Sequence, residues 1–320
     1  MNGSEKPLIS ILLATYEPRL DWLKALLSSL NAQTYPNLFL AVRDDGSSQT
    51  CFEAVSRLVA ETVTAFPYSI ARNEKNQGSN QTFALLTEAA EGAYLAYCDQ
   101  DDVWLPEKLT VLWKTLEREG AGLACSDVIP IDEAGNPLAD SITALRPRHI
   151  FQSGQGLAGE IANRNFVIGC TMLIRTEIAQ AALPFAEYMV HDHYLAFYCA
   201  RAHGIAVADR PLVRYRQHAD NQTGVLAHVR SKADYRERYV RPYCRRIEEL
   251  AERFPGAVAE ETIHFARARE ANIDHRPHSA RTLFALRRYN RAAALFECIG
   301  LRLPEPVFRF AVKLIQRGKL

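Results

Sequence analysis

The chain has 320 residues, 48% of them hydrophobic and 23% charged, with a formal net charge of +1. These proportions belong to a globular protein of one large domain, or a domain with an appendage, and exclude fibrous and disordered classes. The seven cysteines are odd in number and never form a C-x-x-C pair, which argues against a disulfide framework or thiolate zinc site and for a reducing compartment. The N-terminal "MNGSEKP" lacks the layout of a signal peptide, and no apolar run approaches the ~20 residues that span a bilayer. The expectation is a cytoplasmic protein, in which the sequons at Asn80 and Asn221 carry no meaning.

Residues 8–14, "LISILLA", read as a buried strand, and residues 19–31 carry leucines at 20, 23, 26, 27 and 30 in helical spacing. A second strand (38–42), a helix (51–60), a short strand (68–71) and a helix (80–90) follow. A strand at 93–98, a helix at 106–118 opening on Pro106, and a fifth strand at 121–126 complete the first part. This alternation predicts an α/β fold, a mostly parallel sheet covered by helices. Residues 131–225 are more irregular, with a strand-like "FVIGCTMLIR"; from about residue 226 the chain reads as helix. The expected division is therefore 1–225, whose first 130 residues form the regular half, and a helical 226–320.

Ligands of such sheets bind at the carboxyl ends of the strands. Those ends read Thr15-Tyr16-Glu17-Pro18, Asp44-Asp45-Gly46-Ser47-Ser48, "NEKNQGSN" (73–80) and "DQDD" (99–102). One "DDGS" alone is usually a plain turn; every strand in the half ending in polar residues is not so easily dismissed. Asp99, Asp101 and Asp102 repel one another, and a helix N-cap accounts for only one of them. A calcium loop fails, because Leu105 and Thr110 stand where Gly and Glu are required. A loose Mg²⁺ or Mn²⁺ site completed by substrate phosphates remains. There is neither a P-loop motif nor G-x-G-x-x-G after the first strand, which leaves an enzyme that uses a nucleotide diphosphate as leaving group.

"ISILLATYEP", "VRDDGSSQT", "NQGSNQTF" and "CDQDDVWLPEKL", in this order, resemble the nucleotide-binding half of family 2 glycosyltransferases; "GCTMLIR", "HDHY" and "YRQHADNQTG" resemble their acceptor half. The resemblance spans roughly residues 8–220 and implies a GT-A fold and inversion at the sugar. The "CDQDDVWLP" and "YRQH" forms further resemble bacterial rhamnosyltransferases of O-antigen and capsule assembly. It implies that Thr15, Tyr16 and Glu17 line a pyrimidine pocket and that Asp45 accepts from the base. Asn80 and Asp99 would contact nucleotide or sugar, and Asp101, supported by Asp102, would hold a divalent cation. Arg216, with Arg214, would lie on a loop closing over the diphosphate, and His218 would be an extra metal ligand. Asp192 matches the base that takes the acceptor's proton. His191 and His193 flank it, but an H-x-H pair without a third nearby ligand is no zinc site.

The implied donor is a nucleotide-diphosphate sugar, dTDP-L-rhamnose first and UDP-galactose, -glucose or -N-acetylglucosamine as alternatives. The implied acceptor is a glycan or lipid-linked glycan. A catalytically degenerate sugar-nucleotide-binding protein is the rival reading, and the intact Asp99, Asp101 and Asp192 argue against it. A nucleotidyltransferase would need a Gly- and Lys/Arg-rich loop where "ATYEP" stands.

Residues 276–320 hold ten Lys or Arg against two Glu, a local +8 that leaves −7 for the rest. Arg309, Lys313 and Arg317 fall on one helical face, and Val307, Phe310, Ala311 and Leu314 on another. This predicts either an interfacial helix on anionic lipid or a subdomain packed on the core or on a second subunit. Nucleic acid is not expected, since no groove-reading element accompanies the charge.

Overall fold

The computed structural model describes residues 6–147, 149–218, 226 and 228–316. Asn221 and Arg317 lie outside the described residues. The chain divides into two compact units: Met1–Phe185 with Met189–His218, and Ala186–Tyr188 with Ala219–Leu320. The observed division thus falls a few residues before the expected one, and a three-residue segment of the irregular middle belongs to the second unit.

The first unit begins with β1 (Ile9–Thr15), α1 (Leu20–Asn31), β2 (Leu38–Asp44), α2 (Gln49–Thr62), β3 (Tyr68–Arg72), α3 (Ser79–Ala89) and β4 (Tyr94–Cys98). It continues with β5 (Val103–Trp104), α4 (Lys108–Glu119), β6 (Leu123–Cys125), β7 (Val128–Ile131), α5 (Ile142–Leu145) and α6 (Ala158–Asn163). After a 3₁₀ turn at Gly169–Thr171 come β8 (Leu173–Arg175), α7 (Thr176–Ala181), α8 (His191–Ala200), β9 (Ile205–Val207) and β10 (Val213–Arg216).

Seven strands form one sheet in the order β3-β2-β1-β4-β8-β6-β9. Only β8 runs against its neighbours. Strand β1 is apolar almost throughout because helices cover both faces of the sheet; Ile9, Ile11, Leu12 and Leu13 are all fully buried. Each contributes about 1.5–3 kcal/mol by leaving water.

Of the strand-like "FVIGCTMLIR", only Leu173–Arg175 is strand; the segment before it turns at Gly169, as the site requires. A second sheet, β5-β10-β7, had no counterpart in the periodicity, because two- and four-residue strands are too short to carry one. It pairs Val103 with Arg214, which ties the end of the acidic segment to residues more than a hundred positions later.

The regular elements among the second unit's described residues are all helical: α9 (Lys232–Tyr235), a π-helical turn at Arg236–Val240, α10 (Arg241–Arg253), α11 (Glu260–Ile273), α12 (Ser279–Ala285), α13 (Arg291–Gly300) and α14 (Glu305–Gln316). Its core includes a buried ion pair, Arg269 to Glu297 at 2.5 Å, completed by the Tyr235 hydroxyl donating to Glu297 at 2.9 Å. Such a pair is retained only when the remaining polar atoms are satisfied.

Candidate active site

Because β3, β2, β1 and β4 are neighbours, their carboxyl ends form one continuous edge. Register places Thr15 beside Asp44 and Asp44 beside Arg72. Asp44 is fully buried there and accepts from the Thr15 hydroxyl at 3.1 Å, the Ser47 hydroxyl at 2.6 Å and the Ser47 N–H at 2.8 Å. The Thr15 hydroxyl is therefore directed into the edge, toward Asp44. Asp45 accepts from Asn73 at 2.8 Å, from the Gln77 N–H at 2.9 Å and from the Gly78 N–H at 2.8 Å. It braces the 73–78 loop and has about one lone pair left for a base. Gly46 permits that brace: its φ is +80°, and a Cβ would meet Lys75 backbone at 2.5 Å.

Tyr16 is half-exposed at the mouth of this edge. Its backbone is held by the Gln100 side-chain amide, which accepts from Tyr16 N–H at 2.8 Å and donates to its carbonyl at 3.3 Å. The first and fourth strand ends are thus stapled together, and the Tyr16 ring faces outward, available for stacking. Glu17, at φ 39°, accepts from Ser48 N–H at 2.6 Å, which holds its carboxyl below the usual range.

The acidic segment separates into two layers. Asp101 faces His218, with Oδ2 and Nε2 2.7 Å apart and both side chains partly exposed. The His218 ring rests against Trp22, centroids 5.1 Å apart. Asp102 is fully buried; its Oδ1 accepts from the Arg216 N–H at 2.9 Å, and its Oδ2 meets no hydrogen-bond donor in good geometry, with the Cys170 thiol beside it. Asp102 belongs to the inner layer, so the accessible carboxylate is Asp101.

Beneath them lies Lys108, the first residue of α4 and fully buried. Its ammonium donates to the Cys170 carbonyl at 2.6 Å and sits over the Trp104 ring. Burial lowers its pKa to about 7, opposed by the charges of Asp102 and Asp99. Asp99 is pushed up to about 7, first by burial and then by Asp101 and Asp192, against the pull of Lys108. Burial, then Asp101 and Asp99, holds Asp102 well above the carboxylate range. The carboxylate atoms of Asp99 and Asp102 and the Cys170 sulfur lie within 4.8 Å of one another and could hold a metal ion, with the Lys108 amino group beside them. Asp101 and His218 offer a carboxylate and an imidazole to a divalent ion, their facing atoms 2.7 Å apart.

Asp192 stands in the first turn of α8 and takes N–H donors from Gly169 at 2.9 Å and His193 at 2.5 Å. Burial pushes its pKa up to about 6. Gly169 makes the approach feasible, since a Cβ there would lie 3.2–3.4 Å from the His191 ring and the Asp192 side chain. His191 packs on Phe83 and Tyr97, with centroids 4.1 and 5.3 Å away, and burial lowers its pKa to about 3, so it stays neutral. His193 bonds to the Ile161 carbonyl at 2.5 Å. Neither histidine is a surface or metal residue.

Asn80 and Arg216 both take part in the frame of the site. Asn80 donates to the Met189 carbonyl at 2.5 Å and accepts from the His191 N–H at 2.7 Å. Its amide thus holds the start of α8. Arg216 belongs to β10 rather than a closing loop; its guanidinium donates to the carbonyls of Asp101 at 2.9 Å, Asp132 at 3.1 Å and Glu133 at 2.9 Å, and it is buried. It positions Asp101 from behind. Gln100 and Lys108 were passed over in the sequence although both stand inside "CDQDDVWLPEKL": a polar residue among acids and a lysine at a helix start carry no local sign of burial.

A mostly parallel sheet whose carboxyl-end edge gathers an aromatic, an acidic cluster and a buried carboxylate at a helix start has the architecture of GT-A glycosyltransferases. S. aureus TarS (residues 1–349) in complex with UDP-GlcNAc superposes with a TM-score of 0.58 at 15% identity, over 97% of this chain and 92% of that one. A mannosyltransferase, PcManGT of Pyrobaculum calidifontis, in complex with GDP-Man and Mn²⁺, superposes with a TM-score of 0.55 at 16% identity, over 98% and 87%. At these identities the likeness establishes the fold.

Residues 10–183 match Glycosyl transferase family 2, and the chain belongs to that family. An uncharacterized glycosyltransferase of Haemophilus influenzae is 31% identical over 111 residues, 35% of this chain and 35% of that protein. One of Methanocaldococcus jannaschii is 30% identical over 138 residues, covering 42% and 47%. The putative teichuronic acid biosynthesis glycosyltransferase TuaG of Bacillus subtilis is 24% identical over 183 residues, 56% and 67%. The chain spans between about a third and a half of the length of the first two relatives.

Proposed function

We propose that this protein is an inverting, divalent-cation-dependent glycosyltransferase that moves a sugar from a nucleotide diphosphate to a glycan or lipid-linked glycan of a bacterial surface polysaccharide. The observation that carries the reading is the convergence of Asp99, Asp101 with His218, and Asp192 at one end of the sheet, beneath the outward-facing Tyr16. Asp192 is among the charges that raise Asp99, which supports a reading in which the two carboxylates act on one donor and acceptor pair.

The acceptor hydroxyl attacks the anomeric carbon, the bond from that carbon to the diphosphate oxygen breaks, and Asp192 takes the hydroxyl proton. Its two N–H donors fix which way the carboxylate points, and burial gives it a basicity suited to neutral pH. Tyr16 stacks on the base, Asp45 offers it a lone pair, and Asp99 meets the sugar or ribose. Asp101 and His218 would hold Mg²⁺ or Mn²⁺, which neutralises charge on the departing diphosphate. The Asp101 carboxylate is kept in place by the Arg216 guanidinium on its own carbonyl.

The segments "CDQDDVWLP" and "YRQH" support dTDP-L-rhamnose as donor, and the fold likeness to TarS in complex with UDP-GlcNAc supports a UDP-sugar as the second reading. Thermal stabilisation by dTDP-rhamnose, UDP- and GDP-sugars, with and without Mn²⁺, separates them, since a ligand raises apparent stability by mass action. The donor that binds is then used with Asp192→Asn. Donor binding with loss of transfer supports the assignment; an active Asp192→Asn variant, or no metal-dependent stabilisation by any sugar nucleotide, overturns it.

A further inference from the structure

Helix α14 has three sectors. Phe308 and Val312 point inward and are buried, with the Phe308 ring against Phe296 at 5.5 Å. Arg309 and Lys313 form an exposed basic flank. Between them runs an apolar stripe of Val307, Phe310 and Leu314, one helical turn apart. Phe310 is 63% exposed, the highest value among the large hydrophobics of the described residues, and Val307 is 46% exposed. The two preceding helices each expose one large apolar residue: Phe284 of α12 is 45% exposed beneath the Arg287 guanidinium, and Ile299 of α13 is 58% exposed. Single exposed apolar residues are unremarkable, but a stripe with cations at its rim marks a binding face.

Packing has already been satisfied on the opposite side of these helices, so the exposed stripe does not serve the core. Its acids are also neutralised. Glu297 is buried against Arg269, and Glu305 accepts from the Lys232 N–H at 3.1 Å and from Arg309 at 3.4 Å. The face is therefore apolar and cationic with no free carboxylate in α13 or α14. A second copy of the chain would oppose like charges across such a face. A nucleic acid would engage the arginines but leave Val307 and Phe310 without a partner. An anionic bilayer satisfies both, with Phe and Val entering the headgroup–acyl boundary and Arg and Lys meeting phosphates.

We propose that the apolar stripe of α14, with its basic flank, docks on an anionic lipid surface. No described helix is long and apolar enough to cross a membrane, so the contact is peripheral. The proposal stands independently of the reaction assigned to the first unit.

The test uses the full chain in co-sedimentation with phosphatidylcholine vesicles and with vesicles containing about one-third phosphatidylglycerol. Wild type should sediment with the anionic vesicles alone and be released as salt screens the charges. Val307→Ser/Phe310→Ser and Arg309→Glu/Lys313→Glu should each lower partitioning about tenfold or more. Both variants should keep a cooperative melt, the charge reversal lowering its midpoint slightly through loss of the Arg309–Glu305 pair. Failure of wild type to bind anionic vesicles overturns the proposal. So does equal binding by the Val307→Ser/Phe310→Ser variant, which would leave charge alone as the cause. A wild-type dimer that Phe310→Ser converts to monomer, without vesicle binding, would instead assign the face to a second copy.

Discussion

Replacing Asn80 by Ala separates the two roles that can be given to that residue. The His191 N–H is the first of α8 and has no acceptor within its own helix. Asn80, on a distant element, supplies that acceptor at 2.7 Å and also donates to the Met189 carbonyl at 2.5 Å. Removing both partners from partly buried backbone groups costs about 1–3 kcal/mol for each group that water does not re-satisfy. The loss falls on the turn that carries Asp192, and a displacement of about 1 Å in a reacting group is worth about 10²-fold in rate. Asn80→Ala should therefore lower kcat about 30- to 100-fold, with the donor KM within about threefold of wild type. Steady-state transfer kinetics with the donor varied at saturating acceptor give both numbers, and a thermal melt confirms that the variant is folded. A donor KM raised tenfold with kcat unchanged would refute the reasoning, because it would place Asn80 on the nucleotide after all.

Because burial raises Asp192 to about 6, and the base must be a carboxylate, transfer should fall about tenfold per pH unit below pH 6 and level off above it; kcat/KM measured from pH 4.5 to 8 checks this. Lys108→Met removes the donor to the buried Cys170 carbonyl, and the expected loss is about 1–3 kcal/mol in a urea titration; an unchanged midpoint would contradict that role. Gly169→Ala places a methyl group 3.2–3.4 Å from His191 and Asp192, which should cost about 1–3 kcal/mol in a urea titration and lower kcat without changing donor affinity.

The pattern of the sequence determined much of this protein. Up to residue 126, β5 excepted, periodicity located the strands and helices to within two or three residues, because buried parallel strands read as apolar runs and their covering helices as leucine stripes. The strand-end rule then led to the polar residues that follow β1, β2, β3 and β4, and these do form one edge. Tertiary structure alone decided how each of them is used. Whether a side chain faces a substrate or braces a neighbour depends on the partner that arrives from elsewhere in the chain. Asn80 meets backbone about 110 residues later, Arg216 reaches back to Asp101, and Lys108 turns inward beneath two aspartates. The charge that allows the acidic cluster to be buried comes from a lysine within nine residues of it, but only the fold places its ammonium against the Cys170 carbonyl and the Trp104 ring. The same holds for α14: sequence supplied its basic and apolar faces, and packing through Phe308 and Val312 decided which apolar residues are left for a partner.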